Sequence, residues 1–314
     1  MQDTRLNRAS VPALDAILGQ TFPLLDHGHV RVIDYMGDDA AIVQAARVSY
    51  GAGTKQVHED RGLIRYLLRN AHTTPFEMCM LKLHVRVPMD CWRQWIRHRT
   101  ASVNEYSTRY SEAISDQQAT LPGEWRLQAA QNKQGSEGFL DIGTGSQLSA
   151  DEQRFHQVAR ELYQGRIAHG VAREQARKDL PLSTYTEAYW AIDLHNLLHF
   201  LQLRMDAHAQ YEIRQYATLI GEEVVARWVP FVWEAFKDYR LNATRLSGPE
   251  IELMRMLIAG DHAAAATWMA ERGWIDSQSG RKSREAREIE HKLAALGVQF
   301  DPVTPPYSRH PASS

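Results

Sequence analysis

Apolar and polar positions alternate with period two in "LKLHVRV", residues 81–87. Leu81, Leu83, Val85 and Val87 fall on one face and Lys82, His84 and Arg86 on the other, the pattern of a half-buried strand. Pro88 ends this run and suits the first turn of a helix, where a missing N–H costs nothing. In the "PMDCWRQWIRHR" that follows, Trp92, Trp95 and Ile96 recur at helical spacing and are expected in the core. Gln94, Arg97 and His98, at i, i+3 and i+4, share a different face. From 114 to 150 the chain turns polar, with Gln, Ser and Gly clusters that predict a surface excursion. "SADEQRFHQVARELYQGRIAHG" then predicts a helix capped by Ser149, with Phe155, Val158, Leu162 and Tyr163 as apolar positions and Gly170 as the stop. A shorter helix is expected over "VAREQARKD". Residues 184 to about 228 carry the longest helical signal, with Leu194, Leu197, Leu198 and Leu201 as a core stripe and His195, His199, Arg204 and His208 on other faces.

Beyond residue 245 the pattern changes. Pro249 opens one helix, Asp261 caps a second through "AAAATWMAERGW", and "SREAREIEHKLAALG" makes a charged third. The closing "DPVTPPYSRHPASS" reads as disordered.

Composition narrows the class. Of 314 residues, 44% are hydrophobic and 24% charged, ample for a buried core, and the formal net charge is −2. That balance points away from a protein wrapped on nucleic acid or held to an anionic membrane, so positive charge, where it matters, is local. The N-terminus has no apolar targeting segment and no run approaches a membrane span, which predicts a cytoplasmic protein. Cys79 and Cys91 sit among apolar or aromatic neighbours with no paired CxxC, and read as buried thiols in preference to ligands or nucleophiles.

The chemistry concentrates in "RHRTASVNEYSTRY", residues 97–110. Arg97, Arg99 and Arg109, with Arg177 and Arg204 farther on, are fork-shaped donors suited to phosphate or to paired carbonyl oxygens. Ser107 adds a hydroxyl and a backbone N–H beside them. The alternative for any one arginine is a solvated face with ion pairs to Glu105. For the stretch as a whole, Arg, Ser, Asn and Tyr without helical periodicity differ from the Lys and Glu pattern of such a face. "HNLLH" has the i, i+4 histidine spacing of zinc proteases, but Asn196 stands where the general-base Glu belongs, so no metal site is expected. Taken alone, His195 and His199 read first as hydrogen-bonded residues near a core edge. Neither a dinucleotide-binding GxGxxG nor a GxxxxGK[ST] loop is present.

"RHRTASVNEYSTRY" fills every specified position of RHRxxSxNExSxRY, the signature of the flavin-dependent thymidylate synthases. Supporting matches are "HTTPFE" at 72–77, "VAREQARKDLPLSTYTEAYW" at 171–190 and "LQLRMDAHAQYEI" at 201–213; together the resemblance covers about residues 30–240. It implies an α/β (α+β) fold with a single mixed helix-and-sheet catalytic domain over 1–245. The resemblance does not reach residues 246–314, whose own pattern reads as a helical C-terminal extension with a role in oligomer contacts as the expectation. It also implies a homotetramer with sites shared between subunits. The implied reaction converts dUMP to dTMP with FAD, NADPH and 5,10-methylenetetrahydrofolate, releases tetrahydrofolate and uses no cysteine nucleophile. Gln94, Arg97, Glu105, Ser107, Arg109, Arg177 and Arg204 would bind dUMP, with Arg204 as the catalytic arginine facing a uracil carbonyl and N3. FAD would lie against His72, Thr74, Arg97, His98, Arg99, Glu105, Asp193, His195 and His199. The last three depart from the Asn, Arg and Asn common in the family, and Met78 stands where a histidine is frequent. Two other function classes follow from the residues themselves: a nucleic-acid module stacking bases on Trp92, Trp95, Tyr106 and Tyr110, and an HxxxH metal hydrolase. Neither accounts for the signature.

Overall fold

A computed structural model describes residues 8–48, 57–110, 116–129, 135–276 and 278–300. The chain divides into two compact units, residues 1–242 and 243–314, each with its own apolar core. In the first unit the strands are β1 Thr21–Leu24, β2 Gly28–Met36, β3 Met80–Pro88, β4 Ser102–Glu105, β5 Arg126–Gln128, β6 Ser136–Phe139 and β7 Tyr185–Asp193. Five of them form an antiparallel sheet in the order β1-β2-β3-β7-β4, while β5 and β6 make a separate pair. The helices of this unit are α1 Pro12–Asp15, α2 Asp39–Arg47, α3 Val57–Arg69, α4 Met89–Trp95, α5 Ile142–Ala168, α6 Arg173–Ala176, α7 Leu194–Arg204, α8 Tyr211–Leu219, α9 Ala226–Trp228 and α10 Pro230–Phe236.

The alternation in β3 works as its sequence predicts: Leu81, Leu83, Val85 and Val87 are fully buried, and Pro88 is the last strand residue and the cap of α4. Residues 185–193 do not continue a helix. They form β7, the strand that pairs with β3 on one side and β4 on the other. Thr186, Ala188, Trp190 and Ile192 are buried at period two, and this β-branched and aromatic alternation outweighs the helical signal of the leucines that follow. The helix begins only at Leu194. Part of the arginine-rich stretch, Ser102–Glu105, is also a strand rather than irregular loop, because it pairs with the outer edge of β7.

Three further expectations are corrected. Helix α5 starts seven residues earlier than its predicted cap, with Asp141 accepting from the Thr144 N–H at 2.9 Å. Ser149 lies inside it, buried, accepting from Trp125 Nε1 at 3.0 Å and donating to the Thr120 carbonyl at 2.6 Å. Phe155, Val158 and Leu162 on that helix are exposed, as is Ile96, whereas Tyr163 is buried. The predicted stop holds: Gly170 has φ +79, the left-handed conformation that favours glycine. The terminal segment 301–314 lies outside the described residues.

Aromatic packing fixes the elements that carry the signature. Trp95, at the end of α4, is fully buried, with ring centroids 4.8 Å from Phe200 of α7, 5.1 Å from Trp190 of β7 and 5.7 Å from Tyr216 of α8. Contacts of this kind contribute about 0.5–1.5 kcal/mol each beyond burial. They hold the C-terminal end of α4 against α7, so the residues that leave both helices meet.

The second unit is a helical trio, α11 Gly248–Ile258, α12 His262–Glu271 and α13 Arg284–Ala295, around Leu253, Met269, Ile289 and Leu293. Its starts are those expected. Pro249 stands in the first turn of α11, Asp261 accepts from the Ala264 N–H at 2.9 Å, and Ser283 accepts from the Ala286 N–H at 3.2 Å. Lys292 reaches the buried Glu250 at 2.6 Å and joins α13 to α11. Among the described residues, no helix is long and apolar enough to cross a membrane.

Candidate active site

The end of α4 and the end of α7 enclose a cleft of about 450 Å³ lined by Arg97, His98, Arg99, Thr100, Asn196, His199, Leu203 and Arg204. Arg204 is half-buried. Its Nε donates to His98 Nε2 at 3.1 Å and its Nη2 donates to the Gln94 carbonyl at 3.3 Å. A guanidinium nitrogen only donates, so His98 accepts through Nε2 and carries its proton on Nδ1. Burial, then the neighbouring Arg204 and His199, push the His98 pKa down to about 4, which keeps the ring neutral at physiological pH. Both acceptors holding Arg204 are uncharged.

That arrangement leaves a concentration of positive charge. The side chains of Arg97 and Arg99 make no hydrogen bond or ion pair among the described residues, and no carboxylate is among the residues that line the cleft. Burial lowers the pKa of the Arg204 guanidinium, yet an arginine remains cationic throughout the range in which proteins fold. The cleft is therefore built to receive an anion.

Other predicted residues cluster one strand away. Glu105 ends β4 and accepts from Thr186 Oγ1 at 2.9 Å. The turn after it places Ser107 Oγ 3.4 Å from the Arg109 N–H, and Arg109 lies 3.7 Å from Glu174 with both side chains exposed. Arg177 reaches the same turn by donating to Thr108 Oγ1. Arg109 and Arg177, 68 positions apart, are thus brought to one loop.

The remaining FAD candidates are placed differently. His72 and Thr74 line a second, more apolar cleft of about 570 Å³ with Tyr66, Pro75 and Met78. Asp193 is the cap of α7, accepting from the Asn196 N–H at 2.9 Å and from Asn196 Nδ2 at 2.7 Å, so its carboxylate is already engaged. His199 faces the cleft with its ring 5.7 Å from that of His98, whereas the half-buried His195 does not line it. No group of residues able to hold a metal ion exists among the described residues. Burial pushes the Cys79 thiol up to about 12 and the Cys91 thiol higher still, so neither offers a thiolate.

Sequence reasoning passed over Asn196 and Gln210. In the sequence Asn196 stands out only as the residue in the place of a zincin glutamate, although Asx pairs such as Asp193–Asn196 are a recurrent helix-start device. Gln210 caps α8 and accepts from the Gln94 amide. It falls inside the single helix expected over 184–228, so no local pattern marks it as the start of α8.

Comparison with known proteins agrees with the geometry. A family described as "Thymidylate synthase complementing protein" matches residues 31–231, which include both clefts and end before the second unit. A flavin-dependent thymidylate synthase of Ruegeria pomeroyi is 49% identical over 289 residues, 90% of this chain and 91% of its own. One from Rickettsia conorii is 50% identical over 281 residues, 85% of this chain and 95% of its own. Among solved structures, the UMP/dUMP methylase PolB from Streptomyces cacaoi, bound with 5-Br dUMP, superposes with a TM-score of 0.64 at 32% identity, covering 70% of this chain and 99% of that one. The arginine-lined cleft and the matches that span it lead to one conclusion: the chain belongs to the family of flavin-dependent thymidylate synthases.

Proposed function

We propose that the protein methylates dUMP to dTMP, taking the one-carbon unit from 5,10-methylenetetrahydrofolate and reducing equivalents from NADPH, with FAD as bound cofactor. In balance, dUMP, methylenetetrahydrofolate, NADPH and a proton give dTMP, tetrahydrofolate and NADP⁺. The observation that carries this reading is the half-buried Arg204 beside the unpaired Arg97 and Arg99, in a cleft without a carboxylate, in a member of this family.

The residues present fit a flavin dinucleotide. Two guanidiniums free of ion pairs suit its diphosphate, and the neutral His98, with His199 and Asn196, offers hydrogen bonds without adding a counter-charge. When bound, the flavin supplies hydride transfer, a chemistry no side chain provides. His72, Thr74, Arg97, His98, Arg99, Glu105, His195 and His199 would hold it, with Asp193 acting through the start of α7. His72 and Thr74 belong to a cleft separate from that of Arg204, an arrangement that a homotetramer with sites shared between subunits accounts for.

Gln94, Arg97, Glu105, Ser107, Arg109 and Arg177 would bind dUMP, the last three gathered at its phosphate. Arg204, oriented by two neutral acceptors, keeps its full charge for the pyrimidine. Facing a uracil carbonyl and N3, it favours the N3-ionised, enolate-like ring that is electron-rich at C5. With both thiols protonated, activation of the ring falls to this electrostatic effect instead of to a cysteine adduct. The reaction would run in the cytoplasm.

The test is product formation. Purified protein supplemented with FAD is expected to show a flavin absorption band and to form dTMP only when NADPH and methylenetetrahydrofolate are both present. A colourless protein that forms no dTMP after FAD supplementation would overturn the proposal.

A further inference from the structure

Asp90 and Gln94 stand one helical turn apart on α4 and face Gln210, the residue that caps α8. Gln210 Nε2 donates to Asp90 Oδ2 at 3.1 Å and lies 3.9 Å from Cys91 Sγ, while Gln210 Oε1 accepts from Gln94 Nε2. An amide side chain has two nearly isosteric ends, and only its partners decide which end points where. Here the decision is made by Asp90. A carboxylate only accepts, so the nitrogen of Gln210 turns to it and the Gln210 oxygen is left for Gln94. Gln94 must then answer with its own nitrogen. Its carbonyl oxygen Oε1 has no partner among the described residues and is free to accept.

We infer that Asp90, acting through Gln210, sets the direction of the Gln94 amide, which makes Asp90 and Gln210 positioning residues of the nucleotide subsite. The inference rests on the proposal that Gln94 touches dUMP. The end of Gln94 left without a partner is its acceptor oxygen, which suits a hydrogen-bond donor of the nucleotide. The same residue serves the chemistry from its other side, since its backbone carbonyl accepts from Arg204. Asp90 Oδ1 is buried without a hydrogen-bond partner among the described residues, so the relay ends at this carboxylate.

The relay predicts a specific coupling. Asp90→Asn keeps the shape of the side chain but adds a donor, which allows both amides to reverse. In the full-length, FAD-loaded enzyme this change is expected to raise the KM for dUMP about tenfold, the effect of one misdirected hydrogen bond. The kcat should stay within about twofold, and flavin content and Tm should not move, as a merely structural role would require them to. Gln94→Ala should raise the KM by a similar factor, and Asp90→Asn added to Gln94→Ala should raise it no further, because the relay has nothing left to direct. Gln210→Met, which keeps the length and removes both ends of the amide, should reproduce the Asp90→Asn effect; it decides the matter if that variant fails to fold. An unchanged dUMP KM in the folded Asp90 or Gln210 variant, or an equal further rise in the Gln94→Ala background, would overturn the relay while leaving Gln94 in the site. An unchanged KM in Gln94→Ala itself would remove Gln94 from the nucleotide subsite, and the relay with it.

Discussion

Two arginine clusters in the first unit put the same side chain to opposite uses. Where α3 meets α10, Arg61 Nε donates to Glu234 at 2.9 Å, and Arg65 binds Glu234 at 2.9 Å and Asp238 at 2.7 Å. Arg65 also lies over the Tyr239 ring, 4.8 Å from its centroid. Arg61 and Arg65 each have a carboxylate. In the cleft between the ends of α4 and α7, Arg97, Arg99 and Arg204 have none among the described residues. The first cluster ties two helices and is neutralised within the fold; the second leaves its charge for something the chain does not contain. An arginine count does not separate the two roles, whereas the inventory of partners does.

That contrast can be broken at its strongest point by Arg204→Ala. Loss of a preorganised cation from the reacting ring should lower dTMP formation about 10³-fold. Since no ion pair is lost, Tm should hold within roughly 2 °C and the flavin should remain bound. A fall of several degrees would place Arg204 in the structural class with Arg65. The next largest effect concerns the cofactor. Replacing both Arg97 and Arg99 by Ala should weaken FAD affinity about 10²-fold by fluorescence titration, and affinity of the parent enzyme should fall as salt screens these charges.

The structural cluster should behave in the reverse manner. Glu234→Gln removes the shared carboxylate of Arg61 and Arg65, which is about one-third exposed, and should cost about 1 kcal/mol of stability, seen as a Tm lower by a few degrees, with dUMP turnover unchanged. The smallest effect belongs to His98→Gln, which keeps an acceptor for Arg204 and should leave turnover at neutral pH within about threefold. Its signature is in the pH dependence. The folded pKa of His98, about 4, lies below its ordinary 6.5, so the unfolded chain binds more protons between those values and stability contributed by the neutral ring is lost as pH falls through that window. His29, also lowered to about 4 by burial, contributes in the same sense, so the readout is the difference between parent and variant. Tm of the variant should fall less from pH 7 to pH 4 than that of the parent.

How much of this is legible in sequence depends on the range of the interaction. Signals carried by neighbouring residues read correctly: the alternation of β3, the Asp261 cap, and the leucine stripe of α7. The signature also brought together Arg97, His98 and Arg99. Failures come where tertiary partners decide. Residues 185–193 are a strand because β3 and β4 flank them, and Phe155, Val158 and Leu162 lie exposed although they recur like a core stripe. The hydrogen bond from Arg204 to His98 spans 106 positions, and Gln94 meets Gln210 across 116; no local pattern encodes either. Nor could residue types alone reveal that Arg97 lacks a counter-ion among the described residues while Arg65 has two.

The central claim, that the unpaired charge around Arg204 serves to make C5 of dUMP reactive, is tested most directly with dUMP tritiated at C5. With FAD, NADPH and methylenetetrahydrofolate, the protein should release tritium to water, and Arg204→Ala, its flavin band intact, should release almost none. Failure of the FAD-loaded parent protein to release tritium, or release by Arg204→Ala at the parent rate, would contradict it.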